Sequence, residues 1–242
     1  MKGKLLALGF AFLLVPVLAG CTLLPEVSIT GSGRVVTQEF TLTGFDKVDV
    51  SHAFKVDVSQ GDSFSVVIRI DDNLVQYLQV VKEGDTLKIG LKPGWEAIQP
   101  RTKQAEITMP ELTGLSLSGA SRGTITGFES AKSLSLDLSG ASSLRGDIEA
   151  GNASFDLSGA SDLTLTGSAQ DVTIDARGGS SVDLGSFPVN DANVKASGAS
   201  NVTVNASGKL DADASGGSQV YYLGSPTLGK VDTSGDSSVQ PK

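Results

Sequence analysis

The sequence predicts an all-β fold: a single-stranded parallel β-helix, or solenoid, of about 20 residues per coil, preceded by an irregular β capping region. Three observations carry this. A Ser-Gly-Ala-Ser-like turn returns seven times. Apolar and polar residues alternate on both sides of each turn, and no stretch of that region has a 3.6-residue period.

The turns are centred on Gly119, Gly140, Gly159, Gly178, Gly198, Gly216 and Gly235, at steps of 21, 19, 19, 20, 18 and 19 residues. Four residues before each glycine stand Leu115, Leu136, Phe155, Ile174, Val194, Ala212 and Val231. Two before stand Leu117, Leu138, Leu157, Ala176, Ala196, Ala214 and Thr233. Four after stand Gly123, Leu144, Leu163, Val182, Val202, Val220 and Val239. Alternation of this kind marks strands with one buried face. A unit of two short strands is too thin to bury that face alone, so equivalent coils must stack into internal columns. Coils about 4.8 Å apart give a column roughly 30 Å tall. The expected hand is right, as for nearly all parallel crossovers.

Glycine suits the corner because it adopts backbone angles other residues avoid. The serine two residues later is present in all seven copies. It shares phase with the inward positions, so its hydroxyl is expected at an inner corner, bonded to other hydroxyls or to the turn backbone. Seven equal serines and no histidine within the repeats argue for structure over nucleophilic catalysis.

Residues 1–20 read as a secretory leader. Lys2 and Lys4 precede the apolar run from Leu5 to Val17, which is short for a membrane span. Leu18-Ala19-Gly20-Cys21 resembles the bacterial lipobox. That resemblance implies cleavage before Cys21, diacylglyceryl modification of its thiol and acylation of the new amino group. Cys21 is the single cysteine, which excludes an internal disulfide and a cysteine-based zinc site. Several acyl chains on one residue anchor stably. The expected location is the bacterial cell envelope, lipid-anchored and extracytoplasmic: the outer membrane of a Gram-negative cell, otherwise the cell membrane. Residues 21–33 then form the lipidated cysteine and a linker.

The formal net charge is −8, and losing Lys2 and Lys4 leaves 17 basic residues against 27 acidic ones. A protein this acidic, without a basic cluster interleaved with aromatics, is not expected to bind nucleic acid, and its overall charge disfavours anionic lipid.

Residues 34–110 are again β in pattern but without the tidy period. Val48 and Val50 alternate with Asp49, and Phe54, Val56 and Val58 with Lys55 and Asp57. Glu83-Gly84-Asp85 predicts a hairpin, and Asp72-Asn73 a short helical turn. The larger side chains here suit a cap over the first coil of the repeats at 111–242, with 34–242 as one continuous domain.

This part of the chain resembles a known family. The residues are Gly44-Phe45-Asp46-Lys47-Val48-Asp49-Val50-Ser51, Phe54-Lys55-Val56-Asp57-Val58-Ser59-Gln60-Gly61 and Asp72-Asn73-Leu74. Thr86-Leu87-Lys88-Ile89 and Ile107-Thr108-Met109-Pro110-Glu111-Leu112, running into the serine turns, complete the set. It is similar to the putative auto-transporter adhesin, head GIN domain family. The resemblance implies a bacterial envelope protein, often a lipoprotein, with a β-helical fold and no established activity. One departure is His52, which stands where the first glycine corner is expected.

Candidate sites are few. The outward position three before each glycine holds Ser116, Asp137, Asp156, Asp175, Lys195, Asp213 and Asp232. Lys195 is placed to pair with Asp175 and Asp213. Asp137, Asp156 and Asp175 would form a weak cation face. A single file of carboxylates is nevertheless a poor calcium cage, so no metal site is expected. Trp95, on a loop bounded by Pro93 and Pro100, and Tyr221 are candidate ligand contacts. Arg122, Arg145 and Arg177 fall in different columns, so no compact basic site is expected. No catalytic set is visible and no cofactor is implied.

The function expected is therefore a non-catalytic cell-surface lipoprotein, an adhesin-like binding or scaffold module contacting the membrane through its anchor and polysaccharide or another envelope protein through its faces. The alternatives are a polysaccharide-processing β-helix enzyme and a self-assembling envelope-stress element.

Overall fold

The computed structural model describes residues 29–93, 98–99 and 101–242, with side chains for all but residues 98 and 99. Cys21 and Trp95 lie outside the described residues.

Each repeat contributes one strand to a ten-stranded sheet and one to an eleven-stranded sheet, and the two sheets face each other across the core. In the first sheet Gly114–Leu117, Leu134–Leu138, Ala153–Leu157, Asp171–Ala176, Asp191–Ala196, Lys209–Ala214 and Thr227–Thr233 follow one another in parallel. In the second, Arg122–Glu129, Ser143–Glu149, Asp162–Ser168, Ser181–Val189, Asn201–Ala206, Gln219–Gly224 and Ser238–Pro241 do the same. The chain is thus the parallel β-solenoid its period predicts.

The columns are in register as the spacing requires. Leu115 pairs with Leu136, then Phe155, Ile174, Val194, Ala212 and Val231. All are buried except Val231 in the last coil, which is 38% exposed. Gly123 interrupts the third column, and the Leu117 and Leu144 side chains occupy the space its Cβ would need, each 2.8 Å from that position. Phe155 and Phe187, their rings 6.2 Å apart and tilted, are both fully buried in the core between the sheets.

The corners show why glycine recurs. Gly140, Gly159, Gly178, Gly198 and Gly216 all have φ of 76–78°. Their carbonyls continue the ladder: the amide of Gly179 donates to Gly159 at 2.7 Å, and that of Ala199 to Gly178 at 2.7 Å. A Cβ on Gly159 would fall 2.3 Å from the Gly140 oxygen. Backbone angle and backbone approach both demand glycine there.

The capping region contains more of the solenoid than its sequence suggests. Lys47–Val50 and Lys55–Gln60 form a coil that stacks in parallel under Gly114–Leu117 and Arg122–Glu129. Thr86–Leu91 and Lys103–Met109 form another, stacked on the far side of that one. Order in the stack therefore departs from order in the chain. Three antiparallel strands complete this end. Leu78–Glu83 pairs with Thr86–Leu91 through the expected hairpin, with Gly84 at φ 61°. Ser65–Asp71 pairs with Lys103–Met109, and Val35–Phe40 covers Ser65–Asp71. The expected helical turn is a 3-10 helix at Asp72–Tyr77. One hydrophobic cluster runs from Phe45 to Val220 through both regions.

Candidate functional site

The serine column is structural. Ser121, Ser142, Ser161, Ser180, Ser200 and Ser218 are buried. Each hydroxyl donates to the carbonyl three residues earlier, at 2.7–2.8 Å, as Ser161 does to Ser158. Their protons are committed to the turn, as a buried hydroxyl requires.

The outward aspartates do form a row. Ser116, Asp137, Asp156, Asp175, Lys195, Asp213 and Asp232 are successive partners in the parallel ladder, with Asp49 beyond Ser116. Partial burial, then the charges of Asp156 and Asp49, hold the Asp137 carboxyl above the usual carboxylate range. The pairing expected of Lys195 is corrected: Asp175 is bound by the guanidinium of Arg177, two residues along its own chain. That residue stands at the corner and folds back over the face, an arrangement the ladder register alone does not favour or forbid. Among the described residues no group of three or more His, Cys, Asp or Glu side chains is set to hold a metal ion. Tyr221 points outward and donates to Gln219 Oε1 at 2.6 Å, while Tyr222 packs on the core.

The first corner, Ser51-His52-Ala53-Phe54, is built without glycine. His52 and Ala53 themselves take left-handed angles, φ 63° and 58°. The imidazole helps to hold this conformation. Its Nδ1 lies 2.6 Å from Ser51 Oγ and accepts a long bond from the Leu91 amide at 3.4 Å. This serine–histidine contact was not legible in advance, and Gly90 makes room for it: a Cβ there would lie 2.5 Å from Ser51 Oγ.

Phe54 takes the serine's place in the inner column, and Lys103 takes the next place beyond it, since Lys55 is in register with Arg122 and with Gln104. The Lys103 ammonium donates to the His52 carbonyl and lies 5.6 Å over the Phe54 ring. Burial pushes its pKa below the usual lysine range. A buried ionic group, Asp71, ties the end of the stack together. It accepts backbone N–H bonds from Gly33 and Arg101 at 2.8 Å and from Thr102 at 3.1 Å. Burial raises its pKa, but the three amides and the Arg101 charge more than offset this and hold it below the usual range.

Around this corner, Lys55, Arg101, Lys103 and Arg122 line one open hollow of about 220 Å³. The expectation that no compact basic site exists is therefore corrected for Arg122. Its neighbours come from strands that sequence order keeps far apart. Arg145 and Arg177 do not line this hollow.

The chain is similar to several solved structures. A putative adhesin from Bacteroides fragilis NCTC 9343 is 22% identical, with a TM-score of 0.81 over 89% of this chain and 100% of that one. A putative lipid binding protein from Parabacteroides distasonis ATCC 8503 is 20% identical, with a TM-score of 0.72 over 89% and 99%. A putative adhesin from Parabacteroides merdae ATCC 43184 is 16% identical, with a TM-score of 0.69 over 89% and 99%. At these identities the likeness establishes the fold. No curated protein matches the sequence. A family model matches residues 44–226, and the chain belongs to that family, described as putative auto-transporter adhesin, head GIN domain.

Proposed function

We propose that the protein is a non-catalytic, lipid-anchored module of the bacterial envelope that binds polysaccharide or another envelope protein through its outer faces. The observation that carries this is the in-register ladder of outward polar side chains. Row after row, such as Thr124, Arg145, Thr164 and Asp183, presents exposed hydrogen-bonding groups about 4.8 Å apart. Such a surface suits many weak contacts with an extended ligand. Catalysis needs unlike groups converging on one point, and the repeat spreads like groups along a line. Family membership and two relatives named as adhesins support the same reading. The lipobox-like Leu18-Ala19-Gly20-Cys21 supports the anchor.

The form beginning at Thr22, immobilised, is the reagent for a glycan array and an envelope pull-down. Saturable capture of a glycan or an envelope protein, with the ligand recovered intact, is the expected result. Shortened glycan products would replace this reading with an enzymatic one. The anchor is tested separately: Cys21→Ser should abolish acyl-chain labelling, and unchanged labelling would contradict the lipoprotein assignment.

A further inference from the structure

The hollow at the first corner is out of keeping with the rest of the molecule. Lys55, Arg101, Lys103 and Arg122 line it together with Thr102 and Gln104, on a chain whose net charge is −8. Two carboxylates compensate in part. Asp57 stands 3.2 Å from the Lys55 ammonium, and Asp71 acts on Arg101 from the interior. The Lys103 ammonium donates its hydrogen bond to a carbonyl, not a carboxylate. Arg122 makes no ion pair among the described residues, as far as any contact within 4.0 Å is concerned. Lys55 and Arg122 are direct partners in the ladder. Like charges in that relation repel and destabilise the sheet. The fold carries this repulsion at a solvent-open concavity where a bound anion would relieve it.

We propose that this hollow binds a phosphate-type oxyanion, carried either by a phospholipid headgroup or by free phosphate. The donors approach from the starts of three different strands, Lys55–Gln60, Lys103–Met109 and Arg122–Glu129. A tetrahedral group with several acceptor oxygens can meet donors from several directions, and guanidinium forks pair with it bidentately. The headgroup source has a geometric basis. Arg101 Nη1 lies 3.5 Å from the Cβ position of Gly33, so the hollow flanks the segment leading back to Cys21. Gly33 lies twelve positions after Cys21, and a stretch of that length spans at most about 40 Å when fully extended. An anchor at Cys21 would hold the hollow within that distance of a membrane, at high effective concentration. Only this source rests on the lipid-anchor reading, and the oxyanion site itself does not.

The test uses the full chain carrying Cys21→Ser, so that acyl chains cannot supply membrane binding. Inorganic phosphate is titrated while the amide resonances of Thr102, Gln104 and Arg122 are followed. Cosedimentation is measured with phosphatidylcholine vesicles, with and without phosphatidylglycerol. Pure phosphatidylcholine reports any contribution of the apolar leader. Saturable phosphate shifts are expected, weakened by about tenfold or more in Arg101→Gln/Arg122→Gln, the scale of one lost charge-assisted hydrogen bond. Lys209→Gln/Lys230→Gln, which removes an equal charge elsewhere, should leave them unchanged. Lys55→Gln repeats the test should the double variant fold poorly. Added retention on phosphatidylglycerol vesicles, lost in the same variants, assigns the headgroup source, and phosphate binding without it assigns free phosphate. No saturable shift and no added retention, or equal binding by the hollow variants and wild type, would overturn the proposal. The Cys21 labelling experiment reports on the anchor independently.

Discussion

The repeat body and the N-terminal coils solve the same packing problem by different means. From Gly114 to Ala214 each coil is held by what every other coil has: an inward column, a glycine corner and a serine bonded to its own turn. From Val35 to Met109 the inward columns continue, but the corner and the end of the stack are held by single, unlike groups. Asp71 gathers three amides, Lys103 serves the His52 carbonyl, and the Ser51–His52 contact braces a corner without glycine. Repetition spreads stability over equal contributions. Ending the stack requires exceptions, and the exceptions bring buried charge and a cationic hollow with them.

The largest expected effect lies in the body. Leu157→Asp puts an unpaired charge into a column with no polar neighbour, at a cost on the order of 4 kcal/mol or more. Thermal or urea unfolding measures it. A variant as stable as wild type would show that the columns do not carry the coil.

At the N-terminal end, Asp71→Asn faces an amide NH2 toward backbone donors and should cost about 2 kcal/mol, since bonds to a charged group contribute about 1.5–3 and water recovers part. The pH dependence has a definite sign. Asp71 has a depressed pKa in the fold. Its contribution is therefore present above the unfolded value of about 3.9 and lost as pH falls through the lower folded value. Unfolding free energy measured between about pH 5 and 2 should fall more steeply in wild type than in Asp71→Asn. Parallel curves would remove Asp71 from its assigned role.

A smaller loss is expected for Ser161→Ala, about 1 kcal/mol, because one neutral hydrogen bond to the Ser158 carbonyl disappears. The smallest effect should be a gain. The Asp137 pKa is raised by burial and then by Asp156 and Asp49. Ionisation is thus disfavoured in the fold, and stability declines as pH rises from the unfolded pKa through the folded one. Asp137→Asn should raise the melting temperature slightly at neutral pH and leave it unchanged below pH 3. A fall at neutral pH would mean the row has a cation partner. The same conclusion would follow from a calcium-induced rise lost in Asp156→Asn.

The body was legible in the sequence because its order is local. Leu136-Asp137-Leu138 states which side faces in, and Gly140 with Ser142 states where the chain turns. The N-terminal end was legible only in part. The hairpin at Gly84 and the turn at Asp72 rest on neighbouring residues and could be read directly. The stacking of Lys103–Met109 beyond Lys55–Gln60 is a non-local pairing that departs from chain order. Until it is known, Lys103 cannot be placed in the serine column, nor Arg101 and Lys103 beside Lys55 and Arg122. Asp71 gave a fainter signal: it directly follows the inward residues Ile68 and Ile70 and is itself buried. The Arg177–Asp175 pair shows the limit within the body, where a corner side chain folds across a face in a way that ladder register does not encode.

The claim that single groups hold the N-terminal corner and stack end while repetition holds the body is tested most directly by hydrogen exchange on Asp71→Asn and Ser161→Ala. In Asp71→Asn, exchange should rise at Gly33, Arg101 and Thr102, whose amides that carboxylate binds, while the amides of Ala153–Leu157 and Asp191–Ala196 stay protected. Ser161→Ala should raise exchange only modestly, at its own corner and the coils adjoining it. Equal loss of protection along the whole stack in Asp71→Asn would contradict the distinction.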